Sequence, residues 1–281
     1  MRSLAPALSG MPELPEVEAT RRGLAPHVEG QTIRDVIVRN RALRWPIPQN
    51  LARTLRGRGI RSIERRGKYL LFDCGQGWMI IHLGMSGSLR LLTQTRPPEK
   101  HDHFDLVLES GNVVRLTDPR RFGAVLWTPH DPAQHPLLVR LAPEPLGDEF
   151  NAEWLYRASR GRRVAIKNLI MDSHVVTGVG NIYASEALFD ARINPRAAAG
   201  RISRAHCEAL VRAIRHTLTL AIEAGGSSLR DYVGAGGLPG EFQNLHRVYG
   251  RAGELCTLCA TAIRMIRQGQ RATFYCPKCQ H

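Results

Sequence analysis

The stretch KYLLFDCGQGWMIIHL, residues 68–83, sets the pattern for the first half of the chain. It holds two short β-rich runs separated by the turn signal Gly75-Gln76-Gly77. Runs of the same kind recur on both sides of it: TIRDVIV (32–38), SLRLL (88–92), FDLVLE (104–109), VVRLTD (113–118) and AVLWT (124–128). Short strands with frequent turns are typical of a two-layer β-sandwich. The sequence therefore predicts such a sandwich between Thr32 and Thr128.

Helical patterns flank this β-rich region. Residues 15–25 are predicted to form a helix that Pro26 closes. Beyond the proline-bearing stretch 129–145, further helices with aliphatic faces are predicted over residues 164–172, 181–190, 203–224 and 227–234. The chain is thus predicted to be an α+β protein, with a domain boundary between residues 130 and 150.

Four of the six cysteines lie close together near the end of the sequence. They form two C-x2-C pairs separated by sixteen residues: Cys256, Cys259, Cys276 and Cys279. Two such turns can direct four thiolates at one point, which is the closed tetrahedral shell that zinc prefers. The spacing predicts one structural Zn²⁺. Cys74 and Cys207 are interpreted as small core residues rather than a disulfide.

The charge balance indicates a polyanionic partner. The 39 Lys and Arg residues outnumber the 25 Asp and Glu residues, giving a net charge of +14 and a pI near 10.3. Because the charge is spread along the chain, nucleic acid is favoured over a membrane surface, with mere solubility as the alternative. No apolar run approaches the roughly 18 residues of a membrane span. The first ten residues make a poor secretory signal, so a cytosolic protein is predicted.

The segment MPELPEVE, residues 11–18, contains two prolines and three glutamates, which is more than the start of a helix requires. Pro15 suits the first turn of a helix, and the acidic side chains after it suit the positive end of that helix. Pro12 and Glu13 are not explained in this way. If Met11 is the initiator and is removed, Pro12 would carry a free secondary amine. Such an amine can attack a carbon centre and form an iminium.

Two turns in the β-rich half carry apolar side chains. The sequence HLGMSGS, residues 82–88, places Met85 among glycines, where it either fills a gap in the core or serves as a wedge. The sequence DPRRFG, residues 118–123, places Arg120 and Phe122 at a turn. An arginine beside an apolar probe can enter a DNA stack, although Phe122 could also pack under its own loop.

Two segments of the second half are suited to phosphate. TGVGNIY, residues 177–183, places Asn181 at a glycine-bearing helix start, which can bind phosphate or simply be an N-cap. Lys167 is spaced to reach the same phosphate. RQGQRAT, residues 267–273, would form a basic hairpin tip between the cysteine pairs. A basic groove between the two halves is a natural place for DNA.

The combination of motifs resembles the bacterial formamidopyrimidine-DNA glycosylases, also called 8-oxoguanine DNA glycosylase/AP lyases, from Met11 to the C-terminus. The motifs are PELPEVE, HLGMSGSLR, KHDHFDL, TDPRRFG, VGNIYASEALF, VYGR and QRATFYCPKCQ. The resemblance implies an N-terminal β-sandwich domain with an N-terminal helix, a helix-two-turns-helix domain and a C-terminal four-cysteine zinc hairpin. The related endonuclease VIII branch shares this architecture, but the PELPEVE opening is more similar to the purine-lesion branch.

The resemblance also implies a role for individual residues. Pro12 would attack C1′ of the damaged nucleoside, Glu13 would act in acid/base chemistry at the sugar, and Glu16 would support it. Lys68 matches the residue that assists β-elimination, and Arg271 the one linked to δ-elimination. DNA contacts are implied for His101, Arg120 and Arg162, of which the last is often Lys in the family. Met85, Arg120 and Phe122 match the trio that fills the void and senses the opposite base.

The predicted protein is thus a base-excision-repair enzyme that removes oxidised purines from damaged double-stranded DNA and cleaves the strand. Its predicted parts are an extension (1–11) absent from the mature chain, a catalytic sandwich (12–135), a helical DNA-binding domain (145–240) and a zinc ribbon (247–281). The segment 224–243 would be a lesion-capping loop or a surface loop. A monomer in the bacterial cytoplasm, associated with the nucleoid, is expected. The alternatives are an oxidised-pyrimidine glycosylase and a non-catalytic zinc-ribbon lesion-binding protein.

Overall fold

The computed structural model of the chain describes residues 11–94, 96–227 and 240–281. These residues divide into two compact units. The first takes the chain up to Val139 together with the described part of Ala224–Gln243, and the second takes Arg140–Glu223 and Asn244–His281. Among the described residues, no helix is long and apolar enough to cross a membrane.

The first unit is built on two four-stranded antiparallel sheets, which confirms the predicted β-sandwich. One sheet has the order β1-β6-β7-β5, with β1 at Ile33–Val38, β5 at Ser88–Leu92, β6 at Asp102–Leu108 and β7 at Val113–Thr117. The other has the order β2-β3-β4-β8, with β2 at Ser62–Arg66, β3 at Tyr69–Asp73, β4 at Trp78–His82 and β8 at Ala124–Thr128. A short helix, α2 (Leu51–Leu55), lies between β1 and β2.

The core lies between the two sheets. Side chains of Phe72 and Ile81 from one sheet share a single buried cluster with Phe104 and Leu116 from the other. The predicted turn between β3 and β4 has a steric requirement of its own. Gly77 has φ +130°, and a Cβ there would lie 2.5 Å from the indole ring of Trp127. Only glycine fits this position, so the β3–β4 hairpin packs closely on β8.

Helix α1 covers Leu14–Val28 and is longer than the sequence predicts. Pro26, expected to close the helix, lies inside it. A proline near the C-terminal end removes one backbone hydrogen bond, whereas Leu24 and Val28 are fully buried in the sandwich core. Packing of the last turn therefore outweighs the local breaking signal.

The second unit contains four helices among its described residues: α3 (Ala152–Ser159), α4 (Ile166–Ile170), α5 (Asn181–Asp190) and α6 (Arg204–Glu223). The predictions for α5 and α6 are confirmed, α4 is shorter than predicted, and α3 was not predicted. Of the proposed helix 227–234, only Ser227 is described, and it forms a β-bridge with Glu241. Residues 228–234 lie outside the described residues, as does most of the predicted lesion-capping loop.

A two-stranded hairpin closes the second unit. Strand β9 (Arg264–Gln268) pairs antiparallel with β10 (Arg271–Tyr275), and Arg271 lies opposite Gln268 at the tip. Gly269 in the connecting turn has φ +59°, a left-handed conformation that glycine adopts without strain. The predicted basic hairpin tip is therefore present between the two cysteine pairs.

Candidate active site

The N-terminus of α1 holds a proline and two carboxylates in a buried setting. Pro12 is buried, and Glu13 and Glu16 are each 1% exposed. The Oε2 atom of Glu16 accepts a hydrogen bond from the backbone N–H of Glu13 at 2.8 Å. This bond is half of a capping box, so the local sequence that starts the helix also fixes the backbone next to Pro12.

The second oxygen of Glu16 binds a distant part of the chain. Glu16 Oε1 accepts a hydrogen bond from the backbone N–H of Ser227 at 2.7 Å. Gly226, with φ +83°, approaches so closely that a Cβ there would lie 2.9 Å from the same oxygen. One carboxylate therefore joins the Pro12–Glu13 backbone to the start of the predicted lesion-capping segment.

Lys68 lies on the turn between β2 and β3. Gly67, which precedes Lys68 in this turn, has φ +58°. Arg65 in the same hairpin donates from Nη1 to the Gly67 carbonyl at 3.1 Å and from Nε to Glu18 Oε2 at 3.2 Å. The carboxylate of Glu18, on α1, thereby ties the helix that follows Pro12 to the turn that carries Lys68.

Glu18 was not singled out from the sequence as a site residue. Arg21 and Arg22 also donate to its oxygens, at 2.8 Å and 2.9 Å. Burial alone would raise the pKa of the Glu18 carboxyl, but the hydrogen bonds from these arginines outweigh burial and lower that pKa to about 2. The group is therefore ionised throughout the neutral range.

His82 ends β4 directly before the Met85 turn. Burial lowers the pKa of His82 to about 4, and the positive charges of Lys68 and Arg44 act in the same direction. The imidazole is therefore neutral at pH 7, and its Nδ1 accepts a hydrogen bond from the Gly84 backbone N–H at 3.0 Å. Its ring packs against Tyr69, with centroids 4.7 Å apart.

The turn that carries Met85 and the turn at residues 118–123, both predicted to present apolar side chains to DNA, lie against each other. A Cβ at Gly84 would lie 2.4 Å from the carbonyl carbon of Phe122, so the Met85 turn and the 118–123 turn touch along their backbones. The guanidinium of Arg120 lies 4.9 Å from the centroid of the Phe122 ring, and Phe122 is 38% exposed. Phe122 is therefore not packed under its own loop. It stands at the surface beside a cation.

In the second unit, Lys167 links a helix to the hairpin. Its ammonium group is buried and donates to Asn181 Oδ1 at 2.6 Å, Thr273 Oγ1 at 2.8 Å and the Ala272 carbonyl at 3.1 Å. The sequence instead predicted that Lys167 reaches a phosphate. Asn181 also donates from its amide nitrogen to Ala272 at 3.0 Å, whereas Arg162 and Arg271 are exposed.

Glu186 on α5 is a buried carboxylate that sequence reasoning missed. It accepts hydrogen bonds from the backbone N–H groups of Arg247, Val248 and Tyr249, at distances of 2.9, 3.0 and 2.7 Å. Burial raises the pKa of Glu186, while these three N–H groups oppose the rise. The carboxylate holds the segment before the zinc hairpin against α5. Its partners lie about sixty residues away in sequence, so no local signal marks them.

The four predicted zinc ligands converge. Their sulfur atoms all lie within 4.8 Å of one another, with Cys256 and Cys279 3.9 Å apart and Cys259 and Cys276 3.5 Å apart. A tetrahedral shell with Zn–S bonds of about 2.3 Å places sulfurs about 3.8 Å apart. The donor set therefore fits one Zn²⁺. With four protein ligands the site is closed, so the metal's role is to hold the hairpin.

The structure thus combines a β-sandwich with a buried proline and two carboxylates at its first helix, and a helical unit with a four-cysteine zinc hairpin. Comparison with known proteins identifies the class of protein that has these parts. The formamidopyrimidine-DNA glycosylase N-terminal domain matches residues 11–125, the H2TH domain of the same enzymes matches residues 141–233, and the zinc finger found in FPG and IleRS matches residues 253–281. The chain belongs to the formamidopyrimidine-DNA glycosylase family. It is a base-excision-repair DNA glycosylase with AP lyase activity.

Relatives and solved structures agree with this assignment. The formamidopyrimidine-DNA glycosylase of Stutzerimonas stutzeri is 57% identical over 270 residues, covering 96% of this chain and all of that protein. The crystal structure of the MutM (Fpg) protein from Thermus thermophilus has a TM-score of 0.86 at 41% identity, covering 96% of this chain and 98% of that one. Lactococcus lactis Fpg in complex with DNA containing an abasic site has a TM-score of 0.89 at 34% identity, covering 96% of this chain and 100% of that one.

Proposed function

We propose that Pro12 is the nucleophile with which this enzyme removes an oxidised purine from duplex DNA. The observation that carries the proposal is the burial of Pro12 beside Glu13, on a backbone fixed by Glu16. A terminal amine has an ordinary pKa near 8, so a useful fraction is neutral and nucleophilic at pH 7. A buried carboxylate next to it is suited to holding or relaying a proton.

The chemistry follows from these groups. The Pro12 nitrogen forms a bond to C1′ as the bond from C1′ to the base breaks. The Pro12 N–H proton passes to Glu13, and the departing base takes a proton from water. Opening of the C1′–O4′ bond, with proton delivery to O4′ by Glu13, yields an iminium between Pro12 and the sugar. Loss of a C2′ proton then breaks the C3′–O3′ bond. A second elimination at C4′ breaks the C5′–O5′ bond.

This role requires a free amine on residue 12. As an internal residue Pro12 would be a tertiary amide, which has no nucleophilic lone pair. We therefore include in the proposal that translation starts at Met11 and that this methionine is removed. The match to the family's N-terminal domain begins at residue 11, which supports that start.

The phosphate contacts are assigned to groups that are exposed, lie on turns or, in the case of Asn181, start a helix. Lys68 would contact phosphate and transfer a proton in β-elimination, and Arg271 would act in δ-elimination. His101, Arg120, Arg162 and Asn181 would hold the DNA backbone. For Lys167 an indirect contribution is favoured, because its ammonium orients the Asn181 side chain.

Void filling is assigned to Met85, Arg120 and Phe122. Everting a nucleotide costs a few kcal/mol, and side chains that occupy the hole offset part of that cost. The exposed Phe122 ring beneath the Arg120 guanidinium supports this assignment. We further propose that the enzyme acts as a monomer in the bacterial cytoplasm on damaged double-stranded DNA.

Borohydride trapping on DNA that contains 8-oxoguanine tests the nucleophile. Wild-type protein should form a covalent adduct on the peptide beginning at Pro12, and Pro12→Gly should trap at least about tenfold less. Undiminished trapping of the variant through a lysine would overturn the assignment. Intact mass of the active protein from its own host tests the start, because a species that retains Met1 would contradict it.

Substrate choice separates the two kinds of glycosylase. Excision of 8-oxoguanine and formamidopyrimidines should exceed excision of thymine glycol in the same duplex. The reverse order would favour an oxidised-pyrimidine enzyme. Nicking of an abasic duplex separates both from a protein that only binds lesions.

A further inference from the structure

We propose that Asp118 is a positioning residue that locks the two void-filling turns into one rigid wedge, and so sets the discrimination of the base opposite the lesion. This inference rests on the void-filling role proposed above for Met85, Arg120 and Phe122. Asp118 is fully buried. Its function would therefore be exerted through the turns that it holds and not by contact with DNA.

The carboxylate of Asp118 joins the two turns directly. Oδ1 accepts a hydrogen bond from the Ser86 hydroxyl at 2.8 Å, and Ser86 directly follows Met85. Oδ2 accepts a hydrogen bond from the Gly123 backbone N–H at 2.8 Å, directly after Phe122. One buried side chain thus binds the residue next to each apolar probe.

Ser86 completes a closed ring of bonds. While its hydroxyl donates to Asp118, its oxygen accepts a hydrogen bond from the Arg120 backbone N–H at 3.2 Å. The Met85 turn is therefore held to the second turn at Arg120 as well as at Gly123. Each buried polar group in this ring has a partner, which favours a single arrangement of both turns.

The backbone of Asp118 adds a third segment. Its N–H donates to the carbonyl of His101 at 2.9 Å, and its own carbonyl lies 2.9 Å from Nε2 of the buried His103. The same carbonyl accepts a hydrogen bond from the N–H of Arg121, which has φ +57°. The left-handed Arg121 turns the chain between Arg120 and Phe122, and Asp118 stabilises that strained turn.

Close backbone contact makes the wedge stiff. Gly84 leaves no room for a Cβ against Phe122, so the two turns cannot slide past each other without breaking the Asp118 bonds. A rigid wedge enters the base stack at one depth and one angle. Whether the base opposite the void is accepted then depends on fit to fixed side chains, since a loose loop would adapt to any base.

Asp118→Asn and Ser86→Ala test the inference. The amide keeps the shape of Asp118, but its NH₂ group cannot accept the second hydrogen bond, and Ser86→Ala removes the other link. For each variant, single-turnover excision of 8-oxoguanine is measured opposite cytosine and opposite adenine. We expect the ratio of the rate opposite cytosine to the rate opposite adenine to change about tenfold in the direction of unity. A change of this size corresponds to the loss of one hydrogen bond. Ser86→Thr, which keeps the hydroxyl, should retain the wild-type ratio.

Two controls separate positioning from general damage. Asp105→Asn removes a buried carboxylate of β6 that binds Arg39 and Arg115, so it should destabilise the fold while leaving the opposite-base ratio unchanged. Cleavage of an abasic site in single-stranded DNA has no opposite base. Measured at saturating enzyme, where a weakened backbone contact through Arg120 or His101 does not limit the rate, it should stay within about twofold of wild type in the Asp118 and Ser86 variants.

The outcomes are distinguishable. An unchanged opposite-base ratio in Asp118→Asn and Ser86→Ala, with active wild-type enzyme, would overturn the positioning role alone. Equal losses on single-stranded abasic DNA would also overturn it, because a fold defect would then account for the effect. Failure of the wild-type protein to trap on damaged DNA would instead overturn the proposed function.

Discussion

At the scale of single residues, the site depends on carboxylates whose partners are far away in sequence. Glu16 binds Ser227, Glu18 binds Arg65, and Glu186 binds the segment that ends at Tyr249. Each of these carboxylates is nearly or fully buried. Glu16 anchors the start of the predicted lesion-capping segment, Glu18 anchors the hairpin that carries Lys68, and Glu186 anchors the segment before the zinc hairpin. Loss of such a partner leaves a buried charge or donor without compensation, which is costly.

Glu18→Gln should make stability less dependent on pH. The pKa of Glu18 in the folded protein, about 2, lies below its ordinary value of 4.5, so the ionised group stabilises the fold at neutral pH. This contribution is complete above pH 4.5 and is lost as the pH falls towards 2. We expect the variant to be less stable by about 2 kcal/mol at pH 7, with the difference shrinking below pH 5.

Urea unfolding at pH 7, 5, 4 and 3 measures this difference. Glu64→Gln is the matched control, since Glu64 is an exposed carboxyl on the same hairpin as Arg65. It should change the free energy of unfolding by less than about 0.5 kcal/mol. A Glu18→Gln difference that stays constant over this range would contradict the linkage.

Sequence reasoning identified only part of these residue-scale features. The zinc ligands were predictable because each pair is local and its spacing is set by the metal. Pro12, Glu13 and Lys68 became candidates through motifs. The sequence indicates for Asp118 only a place in the turn 118–123. Its partners Ser86 and His101 come close to it only when the two sheets have formed. The distance along the sequence between Asp118 and its partners, and not its residue type, is the reason why the sequence does not predict its role.

At the scale of secondary-structure elements, the sequence predicts the strands that have an apolar pattern and bounding turns. It does not predict strand β2. The sequence SIERR of β2 is mostly polar, and it becomes a strand because it pairs with β3. Helix α3 was missed for a similar reason, since only Leu155 and Ser159 of its residues are buried. Tertiary packing also decided the end of α1, where burial of Val28 carries the helix through Pro26.

Gly226→Ala should impair base excision more than Gly225→Ala. Both glycines have positive φ, +83° and +73°, so an alanine is similarly strained at either position. Only at Gly226 would the new Cβ approach Glu16 Oε1 to 2.9 Å, whereas at Gly225 the nearest atom is the Gly240 Cα at 3.6 Å. Displacing Glu16 should lower the excision rate by about tenfold.

Single-turnover excision of 8-oxoguanine by the two variants gives the comparison. Their free energies of unfolding, measured in parallel, show whether the backbone strain is indeed alike. Equal excision rates in Gly225→Ala and Gly226→Ala would mean that the contact with Glu16 does not matter for the reaction.

At the scale of the whole molecule, the +14 charge predicts binding that weakens steeply with salt. Each phosphate neutralised by a Lys or Arg contributes about 0.9 to the slope of log K against log salt. Arg162→Ala should therefore weaken binding to lesion-containing and undamaged duplexes alike and reduce the slope by about 1. Fluorescence anisotropy across a salt series measures both quantities.

Arg56→Gln is the control for this prediction. Arg56 is exposed and paired with Asp35, so it carries the same formal charge without an assigned phosphate. The slope of log K against log salt for Arg56→Gln should match that of the wild type. If Arg162→Ala gave the wild-type slope as well, Arg162 would not be one of the phosphate contacts.

The bond between Glu16 and Ser227 also orders events during synthesis. The helix that bears Glu16 emerges from the ribosome early, whereas its partner is translated 211 residues later. A nascent chain that stops short of Ser227 contains the proposed nucleophile Pro12 but lacks the N–H donor that binds the Glu16 carboxylate. This bond can therefore form only in chains that extend beyond Ser227, and products that terminate before that residue lack it.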